Sequence, residues 1–335
     1  MTFTLLKYWL RNENPLPTGA LIDDRKPIEK IDDVHFEEIV ASAAPVNWVT
    51  KTSFRTYPVL NQRSSYTCGA NALSKSWGIQ LEQKYGKYVQ LSRGHIYQRR
   101  IGKGEGMALH DMFRIASEGA TLEQLTGEEI YKDADADKLP IDTLQNALGQ
   151  VFAVNKGIYL GNDIETIASV IQTTGKGVIM LAYFLSGEWS KEYPTIVNPL
   201  LTVNDPSSLR HFIVAVDYTL INGKKYLVIE DSAHFGAINR RFLSEEFIKN
   251  RVMGAGYLMN FKYGTSKKVS YDGWTIISAQ ECLQAEGLFP TNISFAENIG
   301  NVTRGALEKF QKKYGLTVTR TLDTDTKNLL HRLYP

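Results

Sequence analysis

Residues 61–85 read NQRSSYTCGANALSKSWGIQLEQKY, and the rest of the chain is organised around them. An extended polar segment turns at Cys68 into a helix. Ala72, Leu73, Trp77, Leu81 and Tyr85 then recur at helical spacing, so one face packs into a core. Gly69 lets backbone and ligand approach closely, and Gly86 is a natural helix stop. A thiol at a helix N-terminus feels the positive end of the macrodipole and unpaired N–H groups, both of which favour the reactive thiolate. A free cysteine is more often a buried, inert residue. Two features set Cys68 apart. Gln62, six residues upstream, carries an amide able to donate to an oxyanion forming at the thiol's target, and His211, 143 residues downstream, opens the apolar run HFIVAV. A lone cysteine with a distant histidine and an Asp or Asn partner is a pattern for a nucleophile.

Residues from about 44 to 264 resemble papain-like (C1-type) cysteine peptidases, stretch by stretch and in the same order. APVNWVTKTSFRTYPVLNQ is similar to the mature N-terminus of that family, and the Cys68 helix follows it. YVQLSRGHIYQRR is similar to the segment after the catalytic helix. GKGEGMALHDMFRIASEGATLEQ resembles the glycine-rich substrate wall and the helix behind it. HFIVAVDYTLINGKKYLVIEDSAHFG resembles the histidine strand, hairpin and Asn-Ser-Trp-Gly segment. The resemblance implies Cys68 as nucleophile, His211 as general base and acid, Asp231 as the residue orienting the imidazole, and Gln62 as the oxyanion-hole side chain. The chain departs from the family at four places. Asp231 stands where papain has asparagine, and an ionised partner would hold His211 protonated more strongly. Gly69 replaces the tryptophan after the nucleophile, Ala233 the tryptophan that commonly shields the third residue, and Ser65 a frequent disulfide cysteine.

Over all 335 residues, 43% hydrophobic and 22% charged content is an ordinary soluble composition, long enough for two domains. A net charge of +2 without a dense Lys/Arg run gives no case for nucleic acid. Two cysteines, Cys68 and Cys282, exclude a disulfide framework, and no 18-residue apolar run spans a membrane. The start MTFTLLKYWLRNENPLPTG lacks the h-region and cleavage site of a secretory signal, so export would use another route. The compartment stays open: cytoplasmic before lysis, non-classical export, or association with a virion.

Residues 1–43 read as a surface arm or a short propeptide-like extension, with the arm favoured because the segment is short for an inhibitory pro-region. Residues 44–130 supply a helical half. GVIMLAYFL, HFIVAVDYTL, KYLVIEDSA and GAGYLMNFKY read as strands, with ETIASVIQTTG as a helix before the first. The expected architecture is α+β, a helical lobe meeting an antiparallel β lobe with the site in the cleft between them. Register poses a test for Asp231. A two-residue Asn222-Gly223 turn would put His211 opposite His234, so a longer loop or a bulge is needed to bring Asp231 beside it. His234 and Asn239 are therefore rivals for the orienting role, although a carboxylate accepts an imidazole proton best.

No metal is required for such chemistry, and His35, His95, His110 and His331 lack ligand spacing. No cofactor is expected either; GKGEG (residues 102–106) fits a substrate-wall turn better than a phosphate loop. After Gly264, residues 265–273 read as a linker and 274–335 as three helices, opened by Ser278 in a capping box, by Thr303, and by Asp323 or Thr324, with Cys282 in the core. CLQAEGL, GNVTRGALEKFQKKYGL and LDTDTKNLL resemble peptidoglycan-binding-like three-helix modules, with Asn298 and Arg320 near places where that family has glycines. A helical packing or docking module is the alternative, because fold does not fix function. The combined expectation is a cysteine peptidase, bacterial or phage-derived, cleaving peptide bonds through a Cys68 thioester. Its substrate would be a protein near a wall or the stem peptides of peptidoglycan, with residues 274–335 binding wall. The alternatives are a papain-fold binding or structural protein with weak or silent chemistry, such as a phage particle component, and a related amidase or acyl transferase.

Overall fold

In the computed structural model, which describes residues 19–30, 33–39, 43–102, 104–126, 133–139, 152–154, 156–235, 238–259, 276–290 and 293–333, residues 68–85 form one helix, Cys68–Tyr85. Gly86 ends it in the left-handed region (φ 70°). Its environment differs from a simple amphipathic surface. Asn71, Ser74, Lys75, Ser76 and Gln80, which the spacing assigns to a polar face, are buried along with Leu73, Trp77 and Leu81. Each finds a partner in a neighbouring element, as buried polar groups must. The Ser74 hydroxyl donates to the Leu91 carbonyl (2.7 Å), Ser76 to the Gly177 carbonyl (2.7 Å) and the Gln80 amide to the Met259 carbonyl (2.7 Å). Lys75 pairs with Glu230 and also donates to the Pro58 carbonyl. The helix is central because its polar side is sewn to loops that close over it.

Among the described residues the strands are β1 (Ala20–Leu21), β2 (Val34–His35), β3 (Met107–Ala108), β4 (Gly157–Leu160), β5 (Val178–Phe184), β6 (Leu209–Ile221), β7 (Lys224–Phe235), β8 (Ile238–Ser244) and β9 (Val252–Leu258). β1 and β3 pair by themselves. The others form one sheet in the order β2-β4-β9-β5-β6-β7-β8, antiparallel except for β2 with β4. The Cys68 helix and the Leu109–Glu118 helix cover one face, where Leu73, Trp77 and Met112 share a core with Phe212, Val214 and Val228. The Ile164–Thr174 and Glu245–Arg251 helices cover the other, with Ile167, Trp189 and Phe247 packed against Ile213 and Ile229. β5, β6, β7 and β9 coincide with the four apolar runs of the sequence. β8 does not, because INRRFLS carries adjacent arginines that break the apolar strand pattern.

The β6–β7 hairpin answers the register question. Asn222 and Gly223 (φ 50° and 75°) make the two-residue turn, with Ile221 opposite Lys224. A bulge at Val216 then shifts the ladder by one residue. Asp217 faces Val228, but Ala215 faces Ile229 and Val214 faces Glu230. The shift moves everything beyond it to the opposite side relative to β7. Continued in that register, Asp231 falls opposite Ile213, on the same side of the sheet as His211.

The C-terminal helices are Ile276–Ala285, Asn301–Lys313 and Thr324–Leu333, packed around Leu283, Leu307, Phe310 and Leu330. Cys282 is buried with them. Two of the helix starts differ from expectation. Ser278 and Thr303 lie inside their helices and are buried, and Thr303 Oγ1 accepts from the Gln280 amide (2.9 Å) rather than capping. Asp323 caps the third helix as expected, accepting from the Thr326 backbone N–H (2.8 Å). Residues 1–18, the 265–273 linker and Trp274 lie outside the described residues.

Candidate active site

Cys68 is the first residue of its helix and is wholly buried. The first-turn N–H groups around it have no carbonyl to bond within the helix. The preceding loop is held by hydrogen bonds where a disulfide cysteine is common in the papain-like family. Ser65 Oγ donates to the Gln62 carbonyl (2.5 Å) and meets Thr67 Oγ1 (2.6 Å). Gly69 faces Met107 and Met112, and a Cβ there would already press on Met107 Cβ at 3.1 Å, so the tryptophan that the family resemblance would place after the nucleophile would have to displace these methionines.

His211 enters from β6, fully buried. Its Nε2–H donates to Asp231 Oδ1 (2.6 Å), while Nδ1 has no nitrogen or oxygen partner among the described residues. Cys68 is the neighbour on that ring, acting on it both by charge and as a hydrogen-bond partner. Burial pushes the imidazole pKa down; the charge and hydrogen bond of Asp231, then Cys68, outweigh it and raise the group to about 10. Burial would likewise push the Asp231 carboxyl up. The His211 charge and hydrogen bond, the Arg241 charge and the Ala233 backbone N–H hold it below the usual carboxylate range.

Asp231 accepts four hydrogen bonds. Oδ1 takes His211 and the Ala233 N–H (2.8 Å); Oδ2 takes the Trp189 indole N–H (2.8 Å) and Arg241 Nη1 (2.6 Å). The Trp189 ring stacks on Phe184 (4.4 Å between centroids) and stands edge-on to His211 (6.3 Å). Trp189 thus shields the His–Asp pair from a short helix, Ser186–Trp189, where the resemblance looked for a tryptophan at position 233. Neither Trp189 nor Arg241 was legible in the sequence. Trp189 lies outside every matching stretch, and the signal for Arg241 is subtle: Arg240-Arg241 runs antiparallel to Glu230-Asp231, one cation per acid on each face.

Gln62 is sewn to the residue after Asp231. Its backbone N–H donates to the Ser232 carbonyl (3.0 Å), its side-chain oxygen accepts from Ser232 Oγ (2.9 Å), and its Nε2 donates to the Ser65 carbonyl (3.0 Å). The four residues expected to form the site therefore share one buried region. Asn239 borders a small cavity beside Asp231 and Ser232, but Asp231 holds the imidazole. The side chains of His234 and His331 lie outside the described residues. His95 Nδ1 accepts from the Thr121 N–H (2.9 Å), and His110 lies 3.2 Å from Asp23. Among the described residues no group of His, Cys, Asp and Glu could hold a metal ion, and no helix is long and apolar enough to cross a membrane.

An N-terminal segment crosses the same region. β1 pairs with β3 directly after Gly106, the Met107 N–H donating to the Gly19 carbonyl (2.8 Å), and β1 also lies beside β6, the strand of His211. A Cβ on Gly19 would collide with the Tyr66 carbonyl oxygen, and one on Gly106 (φ 94°) with the Gly19 carbonyl. Glycine at both places allows this approach. Arg25 pins the following turn between Asp23 and Asp33 (both 2.7 Å).

Comparison with known proteins agrees with this geometry. Residues 273–330 match the family model described as "Putative peptidoglycan binding domain". No curated protein sequence matches the chain. Among solved structures, the fold is similar to xylellain, a cysteine protease from Xylella fastidiosa, at 16% identity and a TM-score of 0.55, covering 74% of this chain and 98% of that one. Digestive procathepsin L 3 of Tenebrio molitor larval midgut is similar at 18% identity and 0.51, over 76% and 78% of the two chains. The ragweed cysteine protease Amb a 11 in its proform matches at 16% and 0.50, over 74% and 75%. The chain thus combines the papain-like cysteine-protease fold with a C-terminal module of the peptidoglycan-binding family.

Proposed function

We propose that the protein is a cysteine peptidase whose nucleophile is Cys68, with His211 as general base and acid, Asp231 as orienting residue and Gln62 as oxyanion donor. One observation carries the reading: His211 Nε2 is committed to Asp231, leaving Nδ1 as the ring nitrogen for Cys68. An imidazole orientated by a buried carboxylate and turned to a cysteine is the arrangement that thiol acyl transfer needs. The thiolate of Cys68 attacks an amide carbonyl carbon. The imidazolium passes its proton to the leaving amine, and a thioester remains. His211 then takes a proton from water, whose oxygen releases the acid and restores the thiol. The Cys68 backbone N–H and the Gln62 amide stabilise the oxyanion; loss of one such donor typically slows turnover by about 10²–10³.

Wild-type protein should gain one mass adduct on Cys68 from a papain-directed epoxysuccinyl reagent, with none on Cys282 and none in His211→Ala. An unlabelled Cys68 in protein trimmed of residues 1–43 would instead favour a silent papain-fold binder. Burial of both reacting side chains, together with an N-terminal segment that pairs with β3 and lies beside the strand of His211, supports assigning residues 1–43 as a propeptide-like extension of a peptidase unit at 44–264. Two of the similar structures are themselves pro-forms by name.

The match at 273–330 supports placing the substrate at a bacterial wall, as a wall-associated protein or the stem peptides themselves. Full-length protein that sediments with purified sacculi, and a 1–273 truncation that does not, is the expected result. Equal sedimentation of both would remove wall targeting by this module.

A further inference from the structure

A carboxylate buried against an imidazole raises a problem that an exposed one does not. Asp231 has no exposed side-chain surface, and neither has His211. An isolated buried anion is costly, and a lone Asp would bind the imidazolium so tightly that its proton would be slow to leave. The structure supplies a second cation. Arg241, with a side chain also wholly buried, reaches Oδ2 of the carboxylate whose Oδ1 holds His211, each at 2.6 Å. Its Nε donates to the Trp189 carbonyl (3.1 Å), and its guanidinium lies 4.7 Å from the Trp189 ring centroid. The Trp189 indole returns to Oδ2 (2.8 Å), so tryptophan and arginine fix one another and the carboxylate together.

We infer that Arg241 is a positioning residue that offsets part of the Asp231 charge, so that the Asp231–Arg241 pair orients His211 while holding its proton less strongly than a lone carboxylate would. The inference rests on Cys68 and His211 being the reacting pair. Two neutral pairs then occupy the buried cluster, Asp231–Arg241 and Cys68–His211. Within the second, the proton moves between sulfur and nitrogen without leaving an unbalanced charge behind. No other ionisable side chain described in the structure enters this balance. Glu188, beside Trp189, is turned to Arg251 (2.8 Å), and Glu230 is turned to Lys75 and Arg240 on the opposite face of the sheet. Phe184 and Trp189 complete the walls around the imidazole.

The test is the titration of His211, followed by NMR of ¹⁵N-histidine-labelled protein, in wild type, Arg241→Met, Asp231→Asn and the double variant. Removing the cation should raise the His211 pKa by about one unit, because the full carboxylate charge then acts on the ring. Asp231→Asn alone leaves a buried guanidinium facing the imidazolium and should lower it by about two units or more. The double variant should lie above Asp231→Asn by about one unit, and it should unfold at higher urea than Asp231→Asn. An Arg241→Met titration identical to wild type in folded protein, or a double variant no different from Asp231→Asn, overturns the proposal. Should Arg241→Met not fold, Arg241→Lys decides, since it keeps the charge and loses the two-sided geometry. A wild-type titration then supports the proposal, and a rise of the size expected for charge removal refutes it. These titrations do not depend on turnover. An unreactive Cys68 would remove the peptidase reading while leaving the charge balance measurable.

Discussion

Replacing Gly19 with alanine should open the site without touching any reacting residue. The new Cβ would collide with the Tyr66 carbonyl oxygen, a backbone atom that no rotamer change can move aside, so the segment at 19–21 must lift. Lifting it breaks the hydrogen bond from the Met107 N–H to the Gly19 carbonyl and exposes the buried Ala20 methyl. The bond contributes about 1 kcal/mol net and the methyl about 0.8 kcal/mol. Closure of the segment is therefore worth about 2 kcal/mol, a factor of about 30 in the open population. Iodoacetamide alkylation of Cys68, followed by peptide mass mapping, reads that population, and Gly19→Ala should speed it by up to about 30-fold. Cys282 serves as the control, since it is buried in the C-terminal helices with its thiol pKa pushed up by burial and by Glu281 and Glu286. An unchanged Cys68 rate in folded Gly19→Ala protein would refute the idea that this segment covers the site. An equal rise at Cys282 would mean general loosening instead.

Lys75→Met should cost about 3 kcal/mol in urea unfolding, because it leaves Glu230 buried with only the more distant Arg240 as counter-charge; a loss under about 1 kcal/mol would show that the pair contributes little. Stability should also carry the signature of the His–Asp pair. The folded His211 pKa lies above its unfolded value, so its contribution is complete below about pH 6.5 and is lost as pH rises towards 10. The folded Asp231 pKa lies below its unfolded value, so that contribution is present above about pH 4 and is lost as acid protonates the carboxylate. Urea midpoints of wild type and His211→Gln should converge between pH 7 and 10; parallel curves across that range would contradict the coupling.

Much of the architecture was legible from residue pattern. The apolar strand runs, the Asn-Gly turn and the glycine stop after the Cys68 helix are local signals, and each describes a preference that its own residues possess. The need for a bulge followed from counting residues between His211 and Asp231. Its position at Val216 did not, because β-bulges are placed by how a strand fits both of its neighbours. Ser278 and Thr303 carry good capping chemistry, yet packing and a hydrogen bond from Gln280 draw them into helix interiors.

The sequence by itself determined the nucleophile's setting, the order of elements and the identities of Cys68, His211, Asp231 and Gln62 as site candidates, since these follow from local propensity and ordered motifs. The tertiary structure alone decided three further matters. It buried the polar side of the central helix by giving Ser74, Lys75, Ser76 and the Gln80 amide partners elsewhere in the chain. It brought Trp189 and Arg241 to Asp231, and it laid Gly19–Leu21 beside Met107 and β6. These contacts join residues tens to well over a hundred positions apart or, like Arg241, on a neighbouring strand whose register is set elsewhere. No local preference encodes them; they exist only where the sheet's register, the bulge and the burial of charge are satisfied together.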